Sequence, residues 1–216
     1  MKSVPVFGQR SLRRFGFWCA TLMAAQLFTA RACAADPVLD WIAITNDTAI
    51  ATASNPLATS RVLSLVSASV YDAVNGIENR YQPLFVRTNA PRHASARAAA
   101  VQAAFAILIR FFPQLTGSLT AQHDASIAAL GAKESPNSIQ AGIAWGQTVA
   151  DAMWAYRLAD GVAPPPPPFV GVLGIVGAPA AIGVWRPTPT VNAPGAGPQF
   201  ATMTPWVLRR PSQFRL

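Results

Sequence analysis

Cysteine is nearly missing from this chain. Cys19 and Cys33 are the only two among 216 residues, which excludes a disulfide-dense small domain and a cysteine-rich zinc module. Histidine is as scarce. His93 and His123 stand far apart, and neither has a second histidine at ligand spacing, whereas a metal site needs three or four converging ligands. Acidic residues number 9 against 17 Lys+Arg, and none forms an obvious acid/base pair. No Gly-x-Ser-x-Gly elbow, Walker loop or Gly-x-Gly-x-x-Gly opens a helix.

What is present begins with charge. The formal net charge is +8, but Lys2, Arg10, Arg13, Arg14 and Arg31 sit in the first 35 residues without an acid among them. The remainder carries 12 basic and 9 acidic residues, a balance of +3. It has no Lys/Arg stripe of the kind a phosphate-backbone binder needs, so no nucleic-acid partner is expected. Residues 1–14 form a basic region, residues 15–28 an apolar run of 14 without a charge, and Ala32-Cys33-Ala34 supplies small residues. This order reads as a secretory signal peptide over residues 1–35. The alternative is an N-terminal membrane anchor, for which the run is short against the roughly 20 residues of a span. Cleavage would remove both cysteines. It would leave an exported, periplasmic or extracellular chain with no stable membrane span, held together by packing alone.

Hydrophobic residues make up 51% of the chain, which argues against wholesale disorder. Residues 36–163 carry a helical pattern. A first helix is expected over residues 40–53. Asn55-Pro56 starts a second, since Asn caps and Pro is tolerated in the first turn. Val62, Leu65, Val66, Ser69, Val70, Ala73, Val74 and Ile77 then make one face at spacings of three and four, and Asn75-Gly76 marks the last turn. A third helix runs over the Ala-rich residues 94–112, stopped by Pro113. Ser118 is expected to cap a short fourth helix ending near Gly131. Ser135-Pro136 starts a fifth that continues to Leu158 and is closed by Gly161. The fold class is therefore all-α, a bundle of about five helices. Gly142-x-x-x-Gly146 in the last helix points to close packing within the bundle, because Gln140, Gln147, Asp151 and Arg157 do not suit a membrane dimer.

At Pro164 the composition changes. Five consecutive prolines open a Pro/Gly-rich stretch over residues 164–216, in which helices cannot continue. A long irregular arm is expected. A disordered linker is the bland alternative, against which stand Phe169, Trp185, Phe200, Trp206 and Phe214, aromatic residues expected to dock.

Three groups invite a chemical reading. Asp72 lies on the apolar-faced helix, where a buried carboxylate is normally paired. A salt bridge to Arg61 or Arg97 is expected, with ligation of a ligand as the alternative. His123-Asp124 reads as a surface pair on a polar face, or else as half of a metal site. Trp145 and Trp154 read as core packing.

Several stretches in order resemble a known family. They are residues 67–78 (Ser-Ala-Ser-Val-Tyr-Asp-Ala-Val-Asn-Gly-Ile-Glu), the small residues of 94–104 leading to Phe112-Pro113, and Gly142 to Gly146. Arg157-Leu-Ala-Asp-Gly161, Trp185-Arg-Pro-Thr-Pro189, Thr204-Pro-Trp-Val-Leu208 and Arg210-Pro-Ser-Gln-Phe214 follow. Together, over about residues 38–215, they resemble the N-terminal half of bacterial vanadium-dependent haloperoxidase-like proteins of the type 2 phosphatidic acid phosphatase superfamily. The resemblance implies a helical bundle and, in full-length relatives, a site for vanadate or a phosphoryl group. There Lys and Arg neutralise an oxyanion and one His bonds to the metal or phosphorus. The family's motifs are Lys-x6-Arg-Pro, Pro-Ser-Gly-His and Ser-Arg-x5-His. None is here: seven before Arg186 stands Pro179, seven before Arg210 stands Met203, and neither His follows Ser-Gly. No catalytic, cofactor-binding or metal residue carries over. The chain is expected to end short of a catalytic half, to hold no vanadate and to be inactive alone. Its expected partners are that missing half or a second copy. The alternative is a secreted, non-enzymatic helical scaffold or binding module.

Overall fold

A single Ala-rich helix forms the axis of the helical unit that begins at Pro37. The computed structural model describes residues 36–171 and 185–214. The expected signal segment, residues 1–35, and Pro179 lie outside the described residues. Five helices follow one another: α1 Pro37–Ala51, α2 Pro56–Glu78, α3 Ala96–Phe111, α4 Thr116–Leu130 and α5 Pro136–Leu158. Among the described residues there is no strand, only one isolated antiparallel bridge between Phe169 and Gly195. The chain is all-α. Ten of the sixteen residues of α3 are buried, as expected of a helix that is apolar on every side. It packs against α1, α2, α4 and α5. Leu65, Val66, Val101, Ile107, Leu108, Leu119, Val149 and Met153 fill the spaces around it, each fully buried.

The helix starts follow local chemistry. Asn55 Oδ1 accepts from the Ala58 N–H at 2.9 Å, Ser95 Oγ from Ala98 at 3.0 Å and Ser135 Oγ from Ser138 at 3.2 Å. Each bond satisfies an otherwise orphaned first-turn donor. α4 departs from expectation: it begins at Thr116, and Ser118 is not its cap. A 3₁₀ turn, Pro113–Leu115, leads into the helix, and the Thr116 N–H bonds to the Pro113 carbonyl. The turn's carbonyls replace a side-chain cap, while Ser118 Oγ donates to the Leu115 carbonyl. α2 ends where Asn79 turns left-handed (φ 52°) and donates its N–H to the Asn75 carbonyl.

The Gly142-x-x-x-Gly146 pair lies flat on α3. A methyl group at Gly142 would strike the Ser95 carbonyl, and one at Gly146 the Ala99 carbonyl. Small residues on both helices bring the two backbones together. Between those glycines, Trp145 is buried and donates its indole N–H to the Ala73 carbonyl of α2 at 2.8 Å. Trp154 sits at the core's edge, edge-on to Phe111 at 5.2 Å. Among the described residues no single helix is long and apolar enough to cross a membrane.

The described part of the arm contributes unevenly. Trp206 packs against the core, and Phe200 is half-buried. Phe169 and Trp185 pair mainly with each other, ring centroids 5.3 Å apart. Phe214 stays 79% exposed, so it does not dock within the described chain. It follows three exposed residues, Pro211 to Gln213, which give it no apolar surface to cover.

Candidate functional site

Asp72 is completely buried on the inner face of α2. Among the described residues it makes no salt bridge. Its Oδ1 accepts from the Leu84 N–H at 2.7 Å, and its Oδ2 from Phe85 and Val86, each at 2.8 Å. Three backbone donors on one carboxylate replace its hydration shell. The expected partners are engaged elsewhere. Arg61 is eleven residues away on the same helix, about 16 Å along the axis, and pairs with Asp160. Arg97 faces Glu134 at 3.8 Å. One turn beyond Asp72, Asn75 exchanges two hydrogen bonds with the backbone of Tyr81, at 2.7 and 2.8 Å. Tyr71 donates its hydroxyl to the Gln82 carbonyl at 2.8 Å. Tyr71, Asp72 and Asn75 thus bind the backbone of the loop that follows their own helix.

A second polar cluster closes the far end of α5. Asp160 is buried and takes the Arg61 guanidinium at 2.9 Å. The same Arg61 nitrogen also donates to the Arg157 carbonyl. Arg157 is 1% exposed and donates to the carbonyls of Thr204 and Pro205. The Thr204 N–H returns a bond to the Asp160 carbonyl at 2.7 Å. Burial holds the Arg157 guanidinium below its ordinary pKa; Tyr156 and Asp160 oppose that shift, and Arg61 adds to it. Among the described residues, the buried Nε–H groups of Arg61 and Arg157 have no acceptor. Beside Arg61 a cavity of about 860 Å³ opens, lined also by Asn55, Leu57, Phe112, Gly197 and Phe200. Arg157 and Asp160 escaped the sequence reading as a pair, although Arg-x-x-Asp at a helix end places both on one side.

His123 is not a surface residue. Its side chain is only 13% exposed and lies against the Phe105 ring, centroids 4.6 Å apart. α4 packs on α3 at this point, and that contact covers the imidazole. Its Nε2 meets Gln102 Oε1 at 2.8 Å and its Nδ1 meets Asp124 Oδ1 at 2.9 Å. Gln102 was not singled out from the sequence; a buried Gln inside an Ala-rich apolar helix was the available signal.

An oxyanion such as vanadate needs converging free cations and a histidine with an open ring nitrogen. The buried clusters around Arg61 and His123 do not fit it. Arg61 and Arg157 point their nitrogens at Asp160 and at backbone carbonyls, and both ring nitrogens of His123 are engaged. Among the described residues no three His, Cys, Asp or Glu side chains group as a metal site. In comparison with known proteins, no family model, curated protein or solved structure matches the chain.

Proposed function

We propose that the five-helix unit is the non-catalytic framework of an exported protein of the vanadium-dependent haloperoxidase-like group within the type 2 phosphatidic acid phosphatase superfamily. In this reading residues 1–35 serve as its secretory signal. The oxidation of halide with hydrogen peroxide, or the hydrolysis of phosphate esters, belongs to residues outside the described helices. The observation that carries the reading is the use made of Asp72. It is the most deeply buried acid of the family-like segment 67–78, and it binds three backbone N–H groups. Within residues 67–78 this carboxylate is spent on the backbone of the chain itself, which supports a framework role for that stretch.

The test is direct. Purified chain is supplied with vanadate, bromide and hydrogen peroxide, and separately with a phosphate monoester. The expected result is turnover no higher than a protein-free control. Vanadate-dependent bromide oxidation by this chain would sink the proposal.

A second reading, a secreted binding module, is favoured by one surface feature. Phe85 stacks on Tyr156 with centroids 4.0 Å apart, and both remain 39% exposed beside Leu84 at 49% and Leu158 at 66%. Exposed apolar clusters of this kind mark contact surfaces. A chain that stays monomeric at high concentration in sedimentation, and retains no candidate partner, counts against it.

A further inference from the structure

The cavity beside Arg61 lies where the arm meets the helices. The start of α2 and the end of α3 line it through Leu57, Val62, Phe111 and Phe112, and the arm's 3₁₀ turn, Pro198–Ala201, lines it through Phe200. Gly197 makes the join close. It is left-handed (φ 59°), and a Cβ there would meet the side chains of Leu57 and Phe200. At about 860 Å³ the space is in the range of roughly 300–1,000 Å³ that holds small organic molecules.

Its polar groups are few, and the nitrogens of Arg61 can be followed one by one. Nη2 donates to Asp160 and to the Arg157 carbonyl. The Nε–H is closed off from solvent. Nη1 has no acceptor among the described residues and is not closed off, so it is the open end of the fork. Gln199 lines the same space, and its side-chain amide has no partner among the described residues. No acidic side chain lines the cavity among the described residues. Behind its wall two guanidinium groups, Arg61 and Arg157, stand with the single carboxylate of Asp160. One positive charge is therefore in excess.

This combination selects among ligands by their chemistry. A tetrahedral oxyanion brings several charged oxygens that need converging cations, and one open nitrogen is short of that. It also has no body for the apolar walls. A neutral hydrocarbon would cover Nη1 and leave it without an acceptor. An apolar body carrying one carboxylate meets both demands. The rings of Phe111, Phe112 and Phe200 suit a flat body, to which they offer faces and edges.

We propose that this cavity binds an aromatic monocarboxylate, with its ring among Phe111, Phe112 and Phe200, its carboxylate on Nη1 of Arg61, and Gln199 as a second donor. The site stands whether or not the function proposed above does.

The test titrates the purified full chain with 2-naphthylacetate by isothermal calorimetry, at a pH of about 7 where a carboxylate is ionised. One saturable site is expected, and no saturable binding would end the proposal. 2-Naphthylacetamide has the same shape without the charge. It is expected to bind roughly tenfold more weakly, the difference between a charged and a neutral acceptor on a guanidinium. Equal affinities would refute the role of Arg61. Removing the charge from the ligand leaves the ion pair of Arg61 with Asp160 intact, so misfolding cannot imitate the result. Inorganic phosphate is expected not to displace the acid, and displacement at equal concentration would mean an oxyanion site instead. Decanoate tests the body: tighter binding than the naphthyl acid would overturn the aromatic assignment.

Two variants place the site. Ala58 lines the cavity from the first turn of α2, and only its backbone N–H takes part in the cap. Ala58→Phe puts a ring into the space and is expected to weaken the acid roughly tenfold or more, with helical circular dichroism unchanged. Unchanged affinity would show that the acid binds elsewhere. Gln199→Leu keeps the size of the side chain and removes a donor. A loss of about twofold to fivefold is expected, and no loss would strike out Gln199 as the second donor.

Discussion

Arg157 sits over Trp206, its guanidinium carbon 3.5 Å from the indole ring centroid. This contact joins the last turn of α5 to the irregular arm across 49 residues of chain. A cation on an indole face gains most when water is excluded, and here the arginine is 1% exposed. The cation is held by the carbonyls of Thr204 and Pro205 as well as by the ring. Arg157→Ala is expected to cost about 2–4 kcal/mol, since it orphans two carbonyls and leaves a gap under Trp206. Trp206→Ala is expected to cost somewhat less and to expose the arm to limited proteolysis near Thr204. Urea unfolding of both single variants and the double variant measures the coupling. Additive losses would mean that the stacking contributes nothing of its own.

Asp72 allows a graded test. Asp72→Ala removes the acceptor for three buried N–H groups, at about 1–3 kcal/mol for each one left unsatisfied. The variant is expected to lose most of the chain's stability. Asp72→Asn keeps one oxygen and turns an NH₂ group toward backbone donors, so it should fall between wild type and alanine. Equal melting curves for all three proteins would contradict the clamp.

The two glycines of α5 and the one in α4 should respond in opposite directions. Gly142→Ala and Gly146→Ala push a methyl group into backbone carbonyls of α3 and are expected to destabilise by about 1–3 kcal/mol each. Gly117 in α4 has nothing within 4 Å of where a Cβ would stand. Gly117→Ala is expected to stabilise by a few tenths up to about 1 kcal/mol, the ordinary helix preference. Thermal unfolding of the three variants settles both signs.

Helix starts and stops could be read in the sequence because their chemistry is local. Asn55-Pro56, Ser135-Pro136 and Pro113 each act within four residues of themselves. The apolar face of α2 and the small-residue contact of α5 are likewise written in spacing. The partners of Asp72 were out of reach for a physical reason. They are backbone N–H groups, which every residue but proline carries, so no residue type announces them. Charge pairing suggested Arg61, but helix rise separates residues 61 and 72 by three turns. His123 looked exposed because it neighbours Asp124 and Gln122. Its burial depends on Gln102 and Phe105 on another helix, and a lone sequence does not show which faces meet. Arg157 and Asp160 were visible only as helix-end charges until the arm's carbonyls came to lie on them.

The clamp on the loop after α2 has a kinetic consequence. The bonds of Asp72 close over 12 to 14 residues and those of Asn75 over six. The ion pair of Arg61 and Asp160 must bring together groups 99 residues apart. Closing a short loop costs little chain entropy, and closing a long one costs more. The helix with its clamped loop can therefore form as one unit as soon as residue 86 is available. The fastening of the arm has to wait for almost the whole chain. A chain emerging from its N-terminus would reach a protease with α2 already folded and the arm still loose. Pulse-labelled hydrogen exchange during refolding should find the amides of Leu84, Phe85 and Val86 protected before that of Thr204.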